Sequence, residues 1–145
     1  MHWRLIVVGK PALDYAARGV AEYLGRIQRY ARTELVYLKD GSPAELAARY
    51  AKAAEGCWKV VLDERGEMPT TAQLRTLVDR WEMAGTKRVA LLIGGADGHP
   101  ESMRQQADYV LALSRLTLQH ELALVVALEQ VYRIYTLKNG EPYHR

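Results

Sequence analysis

Five short apolar segments alternate with helix-forming segments along the 145 residues of the chain. Most of these segments are apolar throughout, which is typical of parallel strands that are buried on both faces. Strands that alternate regularly with helices predict an α/β fold, in which a parallel sheet is flanked by helices. The predicted strands are His2–Gly9, Thr33–Lys39, Trp58–Leu62, Arg88–Ile93 and Tyr109–Leu113.

Local signals mark the ends of the helices between these strands. Ser42 with Glu45 and Thr70 with Gln73 have the spacing of capping boxes, and Gly56 follows one predicted helix. The predicted helices are Leu13–Arg32, Ser42 to about Glu55, Thr70 to Gly85, a short helix that begins at His99, and His120–Lys138. With 49% hydrophobic residues, the chain is predicted to form a single domain over residues 1–145.

The first 60 residues hold the whole basic excess, with ten Lys or Arg against six Asp or Glu. Helical spacing places Arg18, Arg26, Arg29 and Arg32 opposite the apolar stripe of the first helix. Two interpretations remain open. The four arginines form an ordinary solvated face, or they contact the phosphates of a nucleic acid.

Composition excludes several classes of protein. A single cysteine, Cys57, rules out an internal disulfide framework and cysteine-rich zinc sites, and no histidine spacing indicates a metal site. No apolar run approaches the roughly 20 residues that span a bilayer, and the first residues do not resemble a signal peptide. We therefore expect a cytoplasmic protein without a metal and without a membrane anchor.

Three loops follow predicted strands at the edge where parallel sheets bind ligands: Asp63–Gly66, Gly94–Gly98 and Ser114–His120. The chain lacks the glycine patterns of dinucleotide-binding folds and P-loops, and it lacks the nucleophile elbow of hydrolases. Gly94 and Gly95 would let backbone groups approach an adenine or a ribose closely, or they simply form a tight turn.

Several segments occur in the order seen in one enzyme family. They are LDERG (62–66), LLIGGADG (91–98), LSRLTL (113–118) with His120, EQVYR (129–133) and PYHR (142–145). Together they resemble the bacterial methyltransferases that modify N3 of a pseudouridine in helix 69 of 23S ribosomal RNA, which belong to the SPOUT class. The resemblance covers essentially the whole chain.

The resemblance implies a parallel sheet flanked by helices whose C-terminal part forms a trefoil knot, and a homodimer that acts on 23S rRNA or on the assembled ribosome. It implies S-adenosylmethionine as cofactor, bound by backbone groups of three segments. The implied cofactor-binding residues are Leu62, Gly94, Gly95, Leu113, Ser114, Arg115, Leu116, Thr117 and Leu118.

The same resemblance assigns RNA-facing or catalytic roles near the C-terminus to Arg133, Tyr143, His144 and Arg145. We expect His144 to act as a general base or as an orienting group, the alternative being a mobile tail. For His120, we expect the N-cap of the last helix rather than a catalytic role. Glu129 is expected to orient Arg133 or to make a dimer contact.

The chain departs from the family pattern after the third loop, where Gln119 stands in place of a proline and Leu124 in place of an arginine. If that arginine contacts RNA phosphate, RNA affinity should be weaker here, or Arg115 should supply the charge. Leu124 also suggests an alternative function: a non-catalytic RNA- or ribosome-binding module on the same fold.

Overall fold

The computed structural model describes residues 1–144 and contains one five-stranded parallel sheet. Five helices alternate with the strands in the predicted order. The strands are β1 (His2–Val8), β2 (Arg32–Leu38), β3 (Trp58–Glu67), β4 (Arg88–Ile93) and β5 (Tyr109–Leu111). The helices are α1 (Asp14–Ile27), α2 (Pro43–Ala53), α3 (Thr71–Met83), α4 (Glu101–Gln105) and α5 (His120–Lys138). The predicted fold class, a parallel sheet flanked by helices, is confirmed, whereas the trefoil knot stays a prediction.

The strand order is β2-β1-β4-β3-β5, and every neighbouring pair is parallel. Successive residues of a strand point to opposite faces of the sheet, so each strand supplies two separate apolar layers. Leu91 packs in the layer that includes α1, α3 and α5, whereas Leu92 packs with Tyr50 in the layer beneath α2 and α4. This order brings the carboxyl ends of β4, β3 and β5 side by side.

The first helix ends five residues earlier than predicted. The side-chain amide of Gln28 donates to the carbonyl of Thr33 at 2.6 Å, and its oxygen accepts from the Thr33 amide at 3.2 Å. These bonds turn the chain into β2 directly after Ile27. Arg29 therefore lies in the turn and Arg32 in β2, so the predicted face of four arginines on one helix is wrong.

The segment predicted as the loop 63–66 is a bulge inside β3. Leu62 and Glu67 both pair with Leu111 of β5, so the four residues between them project from the strand. A Cβ on Gly66 would lie 2.5 Å from the carbonyl oxygen of Val110, and only glycine fits that close approach. β5 is correspondingly short and ends at Leu111 rather than at Leu113.

Candidate active site

A cavity of about 330 Å³ lies at the carboxyl ends of β3, β4 and β5, and we call it the strand-end cavity. Its walls come from the β3 bulge, the loop after β4, the segment after β5 and the first turn of α5. The lining residues are Leu62–Arg65, Ile93–His99, Leu111, Leu113, Ser114, Leu116–Leu118, His120 and Ala123. A concave site of this size is within the usual range for a small-molecule ligand.

Eight of the nine residues expected to bind the cofactor line this cavity. Arg115 does not, and its side chain is exposed. The sequence predicts His99 only as the start of a helix and does not assign it to the cavity wall. A histidine directly after a glycine-rich strand end was the available signal.

The loop after β4 is a tight turn, and two buried side chains form hydrogen bonds with the end of the strand that precedes it. The Gly98 amide donates to the Gly95 carbonyl at 3.0 Å, and Gly98 has a positive φ of 72°. The Tyr50 hydroxyl donates to the carbonyl of Ile93 at 2.5 Å, and Nε2 of His99 lies 2.8 Å from the carbonyl oxygen of Leu92. The last two carbonyls of β4 are therefore held by side chains.

Burial lowers the pKa of the His99 imidazole, and the hydrogen bond to the Leu92 carbonyl offsets only part of this effect. His99 is therefore neutral at physiological pH. Nε2 then carries the proton and donates, while Nδ1 has no partner among the described residues. The Arg104 guanidinium donates to the carbonyl of His99 at 3.4 Å and to the Asp63 carboxylate at 3.2 Å. The β4 loop and the β3 bulge are thus tied together behind the cavity.

At the cavity rim, Thr117 donates a hydrogen bond of 2.5 Å to the Glu64 carboxylate, which joins the segment after β5 to the β3 bulge. Gln119, rather than His120, caps α5, because its side-chain oxygen accepts from the amides of Glu121 and Leu122. The prediction that His120 is the N-cap is therefore wrong. His120 is the first residue of the helix and faces the cavity.

The predicted catalytic side chains meet elsewhere, in a group formed by Glu129, Arg133, Tyr143 and His144 that we call the tail cluster. Glu129 accepts from Arg133 Nε at 2.9 Å and from the Tyr143 hydroxyl at 3.1 Å. The Arg133 guanidinium lies 4.8 Å from the centre of the Tyr143 ring, and its Nη1 is 3.4 Å from Nδ1 of His144. Arg145 lies outside the described residues.

Ring packing and hydrogen bonds hold the C-terminal segment against α1 and α5. Tyr143 packs edge-on against Tyr132 with 4.7 Å between ring centres, and Tyr30 donates to the Glu141 carboxylate at 2.6 Å. Burial and a hydrogen bond with Tyr23 raise the pKa of Tyr143, which therefore stays protonated as a donor. The segment is thus docked up to His144.

Two other sequence interpretations change with the structure. Leu124 is 2% exposed and belongs to the main apolar layer, so its side chain does not face a ligand. Arg18 and Arg26 each pair with an acidic residue four positions earlier in α1, which neutralises part of the basic face.

Within residues 1–144, no group of three or more His, Cys, Asp or Glu is placed to hold a metal ion. Over the same range, no helix has the length and apolar character that crossing a membrane requires.

Solved structures resemble this architecture. A probable methylase family protein from Haemophilus influenzae aligns with 99% of this chain and 70% of its own length, with a TM-score of 0.60 and 12% identity. A putative methylase family protein from Neisseria gonorrhoeae aligns with 91% of this chain and 82% of its own, with a TM-score of 0.58 and 13% identity. At such low identity, these similarities support the fold alone.

Sequence relatives are much closer. The ribosomal RNA large subunit methyltransferase H of Thermus thermophilus is 52% identical over 145 residues, covering 100% of this chain and 99% of the relative. The protein of the same name from Geobacter metallireducens is 38% identical over 152 residues, covering 99% of each. A family model described as "Predicted SPOUT methyltransferase" matches residues 1–144. The chain therefore belongs to the SPOUT methyltransferase family.

Proposed function

We propose that this protein transfers a methyl group from S-adenosylmethionine to N3 of a pseudouridine in helix 69 of 23S rRNA, on assembled ribosomes in the cytoplasm. The observation that carries the proposal is the strand-end cavity, because eight of the nine expected cofactor residues line it. Its relatives carry the name of a large-subunit rRNA methyltransferase, which supports the same class of substrate.

The cavity fits the proposed cofactor in both size and chemistry. Leu62, Ile93 and Leu113 offer apolar contacts to an adenine, and the backbone groups of 94–98 and 113–118 are available to recognise its polar edge. The Glu64 carboxylate lies at the rim of the same cavity and suits a ligand that carries a sulfonium and an ammonium group, whereas the charge of Asp63 is balanced by Arg104. Bound S-adenosylmethionine supplies an electrophilic methyl group, so orientation of the acceptor nitrogen supplies much of the rate.

The tail cluster supports a composite site in a homodimer. None of its residues lines the strand-end cavity of the same chain. Ala123, at the cavity, precedes Arg133 by ten residues of α5, which is about 15 Å along a helix. We infer that the tail cluster of one copy completes the cavity of a second copy.

His144 has a defined hydrogen-bonding role in this arrangement. A guanidinium only donates, so in this contact Nδ1 accepts from Arg133 and Nε2 is the ring nitrogen that donates. This Nε2–H can hold a carbonyl oxygen of the pseudouridine base. Removal of the N3 proton by His144 requires Nδ1 to leave Arg133, which an RNA phosphate on the guanidinium would permit.

The alternative, a non-catalytic RNA- or ribosome-binding module, rested on Leu124. Since Leu124 is a core residue here, it does not indicate a lost RNA contact. No other observation on the described residues favours the module.

The decisive experiment measures methyl transfer to 70S ribosomes and to free 23S rRNA purified from a strain that lacks the enzyme, with mass spectrometry of the modified nucleotide. We expect one N3-methylated pseudouridine in helix 69, formed on ribosomes. His144→Ala should lower turnover far more than it lowers S-adenosylmethionine affinity in calorimetry. Absence of cofactor binding, or methylation of a different nucleotide, would contradict the proposal.

A further inference from the structure

The basic residues among the first 60 positions lie at both ends of the parallel strands, the carboxyl end that carries the cavity and the amino end. Four of the ten cations pair with acidic side chains: Arg4 with Glu34, Arg18 with Asp14, Arg26 with Glu22 and Arg49 with Glu45. The other six form no ion pair within residues 1–144, and they are Lys10, Arg29, Arg32, Lys39, Lys52 and Lys59.

Only two of these six cations lie at the edge that carries the strand-end cavity. Lys10 follows the end of β1 by two residues, and Lys39 directly follows β2. Arg29, Arg32 and Lys59 lie before or at the start of their strands, and Lys52 is in the last turn of α2, which returns towards the opposite edge. Free positive charge from this part of the chain therefore lies at both ends of the strands, and Lys10 and Lys39 supply it on the side of the cavity.

An exposed aromatic ring lies beside Lys10. Tyr37 is 38% exposed, and Nζ of Lys10 lies 6.0 Å from the centre of its ring. The Gly9 amide donates to the Leu38 carbonyl at 2.9 Å, which fixes the turn that carries Lys10 beside β2. We call Lys10, Tyr37 and Lys39 the Lys10–Tyr37 shelf.

The end of β1, which precedes Lys10 by two residues, adjoins the cavity wall. β1 is the neighbour of β4 in the sheet, and adjacent strands lie about 4.8 Å apart. The Val8 side chain lies 3.6 Å from the position of a Cβ on Gly95, in the loop that lines the cavity. A chain with one unit at the cavity can therefore place a neighbouring unit over Lys10 and Tyr37, since β1 and β2 follow β4 in the sheet.

We propose that the Lys10–Tyr37 shelf binds a nucleotide that flanks the methylated one, with its base stacked on Tyr37 and its phosphates near Lys10 and Lys39. The inference rests on the proposed function, because it takes RNA as the ligand. Aromatic rings combined with unpaired cations are the usual means of binding unstacked nucleotides. Asp40 follows Lys39 in the sequence. Its carboxylate accepts from the Gly41 amide at 2.8 Å, and its carbonyl oxygen accepts from the Arg49 guanidinium.

The test measures binding of a fluorescein-labelled helix 69 hairpin RNA across a series of salt concentrations. We expect Tyr37→Ala to weaken binding at least fivefold, because base–aromatic stacking is of that order, whereas Tyr37→Phe keeps the ring and the wild-type affinity. Lys10→Gln and Lys39→Gln should each reduce the slope of log K against log salt by about 0.7 to 0.9, the value for one lost phosphate contact. Lys52→Gln, an unpaired lysine at the opposite edge, is the matched control and should leave the slope unchanged.

The controls separate this inference from the proposed function. S-adenosylmethionine affinity should be the same in all shelf variants, and sedimentation should show an unchanged oligomeric state. Wild-type affinity and slope in Tyr37→Ala and Lys10→Gln would overturn the inference, as would a change in oligomeric state without a change in RNA binding. If wild-type protein binds the hairpin but transfers no methyl group to 70S ribosomes, the proposed function fails while the shelf is still tested by the binding data.

Discussion

Alanine at position 94 should weaken S-adenosylmethionine binding, whereas alanine at position 95 should not. The two glycines are adjacent in the same cavity wall, and both were expected to contact the cofactor. A Cβ on Gly94 would lie 3.0 Å from the carbonyl carbon of Gly98, 3.1 Å from its Cα and 3.3 Å from the His99 amide. All three are backbone atoms, which cannot rotate out of the way.

The expected loss follows from this distance. Ordinary contact begins at 3.4 Å, so the turn has to open by about 0.4 Å at position 94. Forced overpacking of this kind costs about 1–3 kcal/mol. If cofactor binding requires the original turn, affinity falls about 5- to 150-fold, since about 1.4 kcal/mol corresponds to a factor of ten.

Position 95 provides the matched control. A Cβ there would meet only the Val8 side chain, at 3.6 Å, which is ordinary contact, and no positive φ opposes a side chain. Gly25→Ala, on the exposed side of α1, controls for a glycine change remote from the cavity and should raise stability by about 0.5–1 kcal/mol.

Isothermal titration of S-adenosylmethionine into wild-type protein and the variants measures the effect, with urea unfolding as the check on folding. Wild-type affinity in Gly94→Ala would refute the reasoning. Equal losses in Gly94→Ala and Gly95→Ala would also refute it, because they would show that the steric argument does not distinguish the two positions.

Three further predictions concern the groups around the two sites. Tyr50→Phe should lower the free energy of unfolding by about 1–3 kcal/mol in urea titrations, because the buried carbonyl of Ile93 loses its donor; an unchanged midpoint would contradict this. His99→Leu should flatten the loss of stability on acidification. The folded-state pKa of His99 lies below its ordinary value of about 6.5, so the unfolded chain binds the proton more readily, and stability present above pH 6.5 is lost as pH falls towards the folded pKa. Unfolding at pH 7.5, 6.5 and 5.5 measures this, and His2, whose pKa is also lowered by burial, contributes a loss of the same sign that should persist in the variant. Glu129→Gln should lower turnover at least tenfold with little change in cofactor affinity, because the carboxylate holds Arg133 in the tail cluster through charge-assisted bonds; equal turnover with saturating substrates would disprove that role.

Most of the secondary structure could be predicted because its signals are local. Both capping boxes form as expected, with the Ser42 hydroxyl accepting from the Glu45 amide and the Thr70 hydroxyl from the Gln73 amide. The last helix has the predicted bounds. Where the predictions failed, a more distant partner determined the outcome. Gln28 ends α1 through the backbone of Thr33, and pairing with β5 extends β3 beyond its apolar run.

Three candidate ligand loops could be predicted from the sequence, since parallel strands place their carboxyl ends on one side of the sheet, whereas the individual cofactor residues were implied by the family resemblance. The order of the strands could not be predicted from the sequence. This order places the carboxyl ends of β3, β4 and β5 side by side around one cavity. The hydrogen bond from the Tyr50 hydroxyl to the Ile93 carbonyl could not be predicted either, because 43 positions of sequence separate the two residues.

The sequence by itself determined the alternation of strands and helices and the two capping boxes, because each depends on residues within a few positions of one another. The tertiary structure alone decided that Leu124 lies in the core while Arg133, on the same apolar helix, is partly exposed. Helix α5 is apolar on nearly every face, so its periodicity does not specify which side packs on the sheet. Only packing against α1 and β4, together with the returning tail, fixes that choice and brings His144 to Arg133.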